Sequence, residues 1–190
     1  MITTPSPALL GRIAALVVIS VFFQIGVVSE VPVFGVNVDL SPLLVAFVGL
    51  LCGSTVGAAS GFAVGLLVDL MLVQTLGVTS LIFTIIGYWS GRLRELRDPQ
   101  APVTPLLVGA AAVTASLVGY SLMEFLLGVD APVSVELLRQ IVLGVVVDTV
   151  VALPAWIVVR RCLVGSLPED PRRRRRRAYT TGGLSPLSRA

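Results

Sequence analysis

Residues 51–94 read LCGSTVGAASGFAVGLLVDLMLVQTLGVTSLIFTIIGYWSGRLR, and this stretch decides the fold. Small and acidic residues recur in it at every fourth position, namely Gly53, Gly57, Gly61, Gly65 and Asp69. A four-residue step on a helix returns to nearly the same face, so the row predicts a flat groove that ends in a carboxylate. In water each helical glycine would cost about 1 kcal/mol relative to alanine. In a membrane, glycine lets two helix backbones approach closely, so the row predicts a transmembrane helix.

The composition also indicates an integral membrane protein. Of the 190 residues, 55% are hydrophobic and only 13% are charged, whereas soluble domains carry roughly 25% charged residues. The first apolar run, residues 9–28, is long enough for a full span, and no cleavage site followed by a soluble domain comes after it. We therefore expect this run to stay in the membrane rather than to be removed as a signal peptide.

Hydropathy and helix-boundary signals predict an all-α bundle of about six membrane helices. The predicted helices cover residues 9–28, 41–52, 56–73, 78–89, 106–127 and 137–159. Ser41 and Pro42 are expected to form the cap and first turn of the second helix, and a break is expected at 53–55. At about 12 residues this helix is shorter than the roughly 20 that a perpendicular span requires, so we expect it to be tilted, broken or only partly crossing. Residues 1–164 are expected to form the transmembrane domain, and residues 165–190 a disordered, arginine-rich tail.

The positions of the arginines predict the orientation. With six spans and a cytoplasmic N-terminus, every arginine except Arg139 falls on the cytoplasmic side, as the positive-inside rule requires. Arg139 lies one turn from Glu136, which can pair with it on the helix surface. Five spans would place either the cluster that begins at Arg92 or the tail outside the cell. We therefore expect both termini in the cytoplasm.

One extended motif in the glycine-rich stretch resembles a known family. The pattern G-x-x-x-G-x-x-x-G-L-L-x-D-L, then L-G at a turn, then G-Y-x-x-G-R-L at the next helix end, is similar to bacterial rod-shape-determining proteins of the MreD family. The matching positions are Gly57, Gly61, Gly65, Leu66, Leu67, Asp69, Leu70, Leu76, Gly77, Gly87, Tyr88, Gly91, Arg92 and Leu93. The resemblance is most specific over residues 36–95 and is general in hydropathy over the fifth and sixth helices.

This resemblance implies a non-enzymatic subunit of the cell-elongation machinery in the bacterial cytoplasmic membrane. Proteins of the family act with the bitopic partner MreC. Through MreC they act with MreB, with the glycosyltransferase RodA and with an elongation-specific penicillin-binding transpeptidase, to direct side-wall peptidoglycan synthesis. The resemblance also implies a fold similar to the substrate-binding subunits of energy-coupling-factor vitamin transporters. A transporter subunit is therefore the alternative function, because one fold can serve both.

Several residues are candidates for helix packing or for binding a partner helix: Gly57, Gly61, Gly65, Asp69, Gly77, Gly87, Tyr88 and Gly91. Small-xxx-small rows serve both uses, so both remain open. Asp69 falls near the outer end of its helix, where it is a functional intramembrane group, or else a solvated or helix-capping carboxylate. Asp148 lies about eleven residues into the sixth helix. We expect it to face the bundle interior and to bond to Thr149 or to hydroxyl groups of a neighbouring helix.

Other charged residues are expected near the membrane surfaces. Glu124 is expected to meet Arg139 or water on the outer side. The cytoplasmic surface set is Arg92, Arg94, Arg97, Arg172, Arg173, Arg174, Arg175, Arg176 and Arg177. The run of six arginines either docks a partner or lies on anionic lipid headgroups, which contribute about 1 kcal/mol for each charge near the surface. Without a folded domain or an aromatic platform beside it, the run does not indicate nucleic-acid binding.

The sequence contains no recognisable catalytic or cofactor-binding set. Histidine is absent, the carboxylates fall at separate helix ends, and no phosphate-binding glycine motif occurs. Cys52 and Cys162 lack metal-ligand spacing. We therefore expect no enzyme activity and no cofactor, while transport of a small solute stays open.

Overall fold

The computed structural model describes residues 7–24, 26, 39–72, 75–96, 103–128 and 135–165. Within these residues the chain forms six helices and no strand, which confirms the all-helical prediction for this part of the protein. The helices are α1 (Pro7–Phe23), α2 (Leu40–Cys52), α3 (Ser54–Met71), α4 (Val78–Leu96), α5 (Val103–Leu126) and α6 (Val135–Val164).

Three of the helices contain segments long and apolar enough to cross a membrane. These segments are Ser54–Met71, Val103–Met123 and Val142–Leu163. The apolar helices α1 and α2 are shorter, with 17 and 13 residues. At 1.5 Å per residue, α2 is about 20 Å long, which is less than the roughly 30 Å thickness of a membrane's hydrocarbon core.

Helix α2 forms the centre of the bundle. Its side chains from Ser41 to Leu51 are all buried, and all five other helices contact it. An α-helix that is apolar on every side needs such an enclosed position. Phe47, at the middle of α2, is fully buried and meets Trp156 of α6 edge-to-face, with ring centroids 5.3 Å apart.

A single residue, Gly53, separates α2 from α3. Its backbone angles, φ 101° and ψ 173°, fall in a region that is essentially open only to glycine. The helical hydrogen bonds continue on both sides, because the Gly53 amide donates to the Gly49 carbonyl and the Gly57 amide donates to the Gly53 carbonyl. The break is therefore one residue long, shorter than the predicted break at 53–55.

The predicted ends of two helices are wrong. Helix α4 continues past Trp89 to Leu96, and α6 continues past Val159 to Val164. Gly91 lies within α4 rather than at its end, and it fits against the start of α3. Helix α6 also passes through Pro154 without interruption; membrane helices tolerate proline where neighbouring groups satisfy the freed carbonyl.

The N-cap of α2 differs from the predicted one, whereas Pro42 lies in the first turn as predicted. Asp39 is the N-cap residue, and its side chain accepts a hydrogen bond from the Ser41 amide. Ser41 and Pro42 therefore lie inside the first turn of the helix. An aspartate is as good an N-cap as serine, and proline is tolerated in the first turn because its missing N–H would lack an intrahelical partner there.

Candidate functional site

The glycines of α3 lie directly against the backbone of α4. A Cβ atom on Gly57, Gly61 or Gly65 would lie closer than 3.0 Å to backbone atoms of Gly87, Phe83 and Ser80, respectively. Helix α4 contributes small residues in return: Gly87 meets the Gly57 backbone and Gly91 meets the Ser54 backbone. We call this contact, formed by Gly57, Gly61 and Gly65 of α3 with Gly87 and Gly91 of α4, the α3–α4 seam.

The seam decides what the glycine row can contact. Because α4 covers this face of α3 down to the backbone, a second helix has no room there in this conformation. The close approach gives each helix the van der Waals contact on which association in a membrane depends. In this arrangement the glycine row packs α3 against α4 within the bundle.

One glycine that packs against the seam, Gly49 of α2, was not among the predicted packing residues. Gly49 of α2 would carry a Cβ 2.5 Å from the Gly87 carbonyl oxygen, so three helices meet at this point. The sequence pattern that indicates Gly49 was present, since Gly49 precedes Gly53 by four residues and extends the glycine row by one step. Gly53 itself lies at the helix break rather than in the seam.

Two predicted packing residues lie outside the seam. Gly77 is exposed in the turn before α4, with φ +97° and nothing within 4 Å of a Cβ built on it. Tyr88 is 42% exposed, and its ring lies against Trp89 at a centroid distance of 6.2 Å. Gly77 therefore provides a turn conformation, and Tyr88 faces the outside of the bundle.

The Asp69 side chain is buried, so the solvated alternative for this residue is wrong. It is 1% exposed, and its Oδ2 atom accepts a 2.8 Å hydrogen bond from the Gly77 amide. Gly77 immediately precedes α4, whose N-terminal partial positive charge favours a nearby carboxylate. Asp69 thereby fastens the end of α3 to the start of α4.

Asp148 is also buried, and it belongs to a group of side chains around the N-terminus of α2. Asp148 Oδ1 accepts a hydrogen bond from the Asp39 amide at 3.2 Å, and Gln24 Oε1 accepts one from the Leu40 amide at 2.9 Å. The third acceptor is Asp39 Oδ1, which bonds the Ser41 amide at 3.0 Å. We call Gln24, Asp39 and Asp148 the α2 clamp, because they join α1, α2 and α6.

The depth of the α2 clamp in the membrane-spanning region explains why polar side chains are needed there. Asp148 follows the start of the candidate span Val142–Leu163 by six residues, or about 9 Å of helix rise. The first amides of a helix have no intrahelical partners, and the hydrocarbon layer supplies no water to satisfy them. Thr149, the predicted partner of Asp148, instead bonds the Val145 carbonyl in its own helix. The first amides of α2 are satisfied by the side chains of Gln24, Asp39 and Asp148.

The arginines whose side chains the structure describes gather at the opposite end of the bundle. Arg92, Arg160 and Arg161 are exposed there. Arg94 approaches the break between α2 and α3, where its guanidinium lies 3.9 Å from a Cβ built on Gly53. This position favours a cation because the C-terminal end of α2 carries partial negative charge.

Some predicted site residues lie outside the part of the chain that the structure describes. Glu124 is in the last turn of α5, but its side chain is outside the described set, as is that of Arg139. Arg97 and the six arginines 172–177 are outside it as well. Among the described residues, no group of three His, Cys, Asp or Glu side chains could hold a metal ion.

These features define a class of protein. It is a helical membrane bundle with a buried central helix, a glycine seam and side chains that satisfy helix ends. A family model described as rod shape-determining protein MreD matches residues 10–161. The chain belongs to the MreD family. The match confirms the resemblance and extends it over the fifth and sixth helices. No curated protein and no solved structure matches the chain.

Proposed function

We propose that this protein is a non-enzymatic scaffold subunit of the bacterial cell-elongation complex, and that it acts by binding an MreC-like bitopic partner. The family match over residues 10–161 carries this proposal. Through that partner the subunit is linked to MreB, RodA and an elongation penicillin-binding protein. In this role it controls cell shape and the placement of side-wall peptidoglycan.

The packing of the bundle supports a scaffold role. The α3–α4 seam joins two consecutive helices through backbone contacts. The buried α2 contacts all five other helices, including the distant α5 and α6. Close-packed interiors of this kind have low compressibility and transmit strain, which suits a subunit that holds partners in position. Since the glycine row is covered, the partner's membrane helix has to bind an outward apolar face.

We propose further that the chain crosses the cytoplasmic membrane six times, with both termini in the cytoplasm. The positive-inside distribution of the arginines supports this orientation. Residues 165–190 then form a cytoplasmic tail whose arginines contact anionic lipid headgroups.

Depletion of the protein in its own host tests the scaffold role. We expect cells to widen and new wall material to lose its side-wall placement, which fluorescent labelling of nascent peptidoglycan would show. Re-expression of the unaltered chain is the control. Normal width and placement after depletion, in a host without a second copy, would contradict the proposal.

Photocrosslinking tests binding of the MreC-like partner and finds the face that it uses. A photoreactive residue would replace Ile19 of α1, Leu81 of α4 or Val118 of α5, all of which are exposed and apolar. The control position is Val113 of α5, which is 1% exposed and should give no crosslink. We expect crosslinks to the partner from one face only. A tightly retained vitamin-sized molecule in mass spectra of the purified protein, together with no crosslink from any position, would favour the transporter alternative.

A further inference from the structure

Three buried polar atoms lack hydrogen-bond partners among the described residues: Asp69 Oδ1, Thr79 Oγ1 and Ser116 Oγ. Their side chains are only 1%, 1% and 2% exposed, respectively. A buried polar group without a partner typically costs about 1 to 3 kcal/mol, so three in one region require a physical reason. Unfilled hydrogen-bonding capacity of this kind marks positions where a water or an ion binds.

Tyr120 of α5 links these atoms into one cluster. Its hydroxyl lies beside the hydroxyls of Thr79 and Ser116 and within electrostatic range of both Asp39 and Asp69. Neither neighbouring hydroxyl meets the distance and angle of a hydrogen bond with it. We call Asp69, Thr79, Ser116 and Tyr120 the outer polar cluster; it joins α3, α4 and α5 at the end of the bundle where α4 begins.

The cluster itself offers only oxygen atoms and contains one carboxylate, that of Asp69. Asp39 lies within electrostatic range of Tyr120, and its Oδ1 already accepts the Ser41 amide. The arginines whose side chains the structure describes lie at the other end of the bundle, so none of these neutralises Asp69. Leaving a buried charge without a counter-charge is strongly unfavourable. Carboxylate and hydroxyl oxygens are ligands for hard cations, and a single carboxylate matches a single positive charge. No set of three acidic, His or Cys side chains among the described residues could hold a metal ion, which argues against a divalent ion.

We propose that the outer polar cluster binds a monovalent alkali cation, sodium or potassium. The cation contacts the free Oδ1 of Asp69 and the hydroxyl oxygens of Thr79 and Ser116, while Oδ2 of Asp69 keeps its bond to the Gly77 amide. Binding there ties the α3–α4 turn to α5. The site therefore stabilises the outer end of the bundle, independently of which partner the protein binds.

Thermal unfolding of the full-length protein in mild detergent tests this site. The apparent midpoint would be measured in sodium chloride, potassium chloride and N-methyl-D-glucamine chloride at equal ionic strength. We expect at least one alkali salt to raise the midpoint by about 5 °C with a saturating concentration dependence, because a ligand that binds only the folded state stabilises it. The two alkali arms show which ion is preferred. Equal midpoints in all three salts would overturn the proposal and leave water as the occupant of the cluster.

Matched variants locate the effect. Asp69→Asn should abolish the alkali response, whereas Asp148→Asn removes the same charge at the α2 clamp and should keep the response. Ser116→Ala should raise the half-saturating concentration about tenfold, the loss expected when one hydrogen-bond-strength contact disappears. Its control is Thr114→Ala on the same helix, since the Thr114 hydroxyl is exposed and bonds the Ala110 carbonyl.

Ser116→Ala and Thr79→Val test whether the outer polar cluster binds the ion even if Asp69→Asn fails to fold. A full alkali response retained by both variants would place the ion elsewhere and overturn the assignment. Loss of the response in Thr114→Ala or Asp148→Asn would also contradict it.

Discussion

At the scale of single residues, the α3–α4 seam depends on the absence of side-chain atoms. Gly61 faces the Phe83 carbonyl so closely that one added methyl group must displace backbone. Backbone in a packed helix moves less easily than the end of a flexible side chain, so this position is more restrictive than a typical core site.

We predict that Gly61→Ala destabilises the protein by about 1 to 3 kcal/mol and that Gly61→Leu prevents stable folding, because both overpack the seam. The control is Gly11→Ala in α1, where a Cβ would meet nothing within 4 Å; it should be neutral or stabilising because alanine favours the helix. Thermal unfolding and size-exclusion chromatography in detergent would measure the effects. A Gly61→Ala variant as stable as Gly11→Ala would show that the two backbones are not in contact.

A second residue-scale prediction concerns Asp148. Asp148→Leu removes the acceptor of the Asp39 amide and should cost about 1 to 3 kcal/mol, because a buried donor is left unsatisfied. Asp148→Asn keeps an acceptor oxygen and should cost less. The measurement is the unfolding midpoint of each variant, with Val146→Leu on the exposed side of α6 as a neutral control. Equal losses in the Leu and Asn variants would mean that charge, rather than the hydrogen bond, is what the position supplies.

At the scale of elements, the α2–α3 break depends on a conformation that few residues adopt. Gly53 has φ 101° with ψ 173°, whereas the left-handed region that asparagine tolerates lies near ψ +30° to +60°. The turn therefore needs glycine, beyond needing a residue with positive φ.

We predict that Gly53→Ala and Gly53→Asn both destabilise the protein by about 1 to 3 kcal/mol, with no rescue by asparagine. Gly128, with φ 68° and open space around a Cβ, provides the comparison, because Gly128→Asn should be tolerated there. Thermal unfolding of the three variants checks this expectation. Should Gly53→Asn prove as stable as Gly128→Asn, the α2–α3 break would have to adopt an ordinary left-handed turn.

At the scale of the whole molecule, the orientation is set by charge at the helix ends. Arg12 of α1, the arginines of α4 and the pair Arg160–Arg161 of α6 lie together at one end of the bundle, and Asp69 and the start of α4 lie at the other. A membrane with an anionic cytoplasmic leaflet favours the arginine-bearing end inside the cell.

We predict that a membrane-impermeant thiol reagent added to intact cells labels Asn37→Cys and leaves Glu95→Cys unlabelled. Both substitutions are made in a chain in which Cys52 and Cys162 are replaced by serine, because Cys162 is exposed. Labelling after the membrane is permeabilised is the control for Glu95→Cys. The reverse pattern in intact cells would invert the topology.

The sequence by itself determined the class of the protein, its helix content and its family. Apolar composition and four-residue spacing are local properties, and they suffice for these conclusions because the membrane forces backbone amides into helices. The row of Gly57, Gly61 and Gly65 could also be identified as a contact surface. The sequence did not distinguish a partner helix from α4 as the surface that covers it.

The tertiary structure alone decided the partners of the buried groups. Asp148 accepts a hydrogen bond from the Asp39 amide across 109 residues of sequence, and the Leu40 amide bonds the side chain of Gln24, which directly follows α1. No local pattern encodes such pairs, because they follow from where a short helix begins inside the bundle. The same holds for Asp69: its spacing placed it near a helix end, and only the tertiary structure showed that it is buried and bonded to the Gly77 amide before α4.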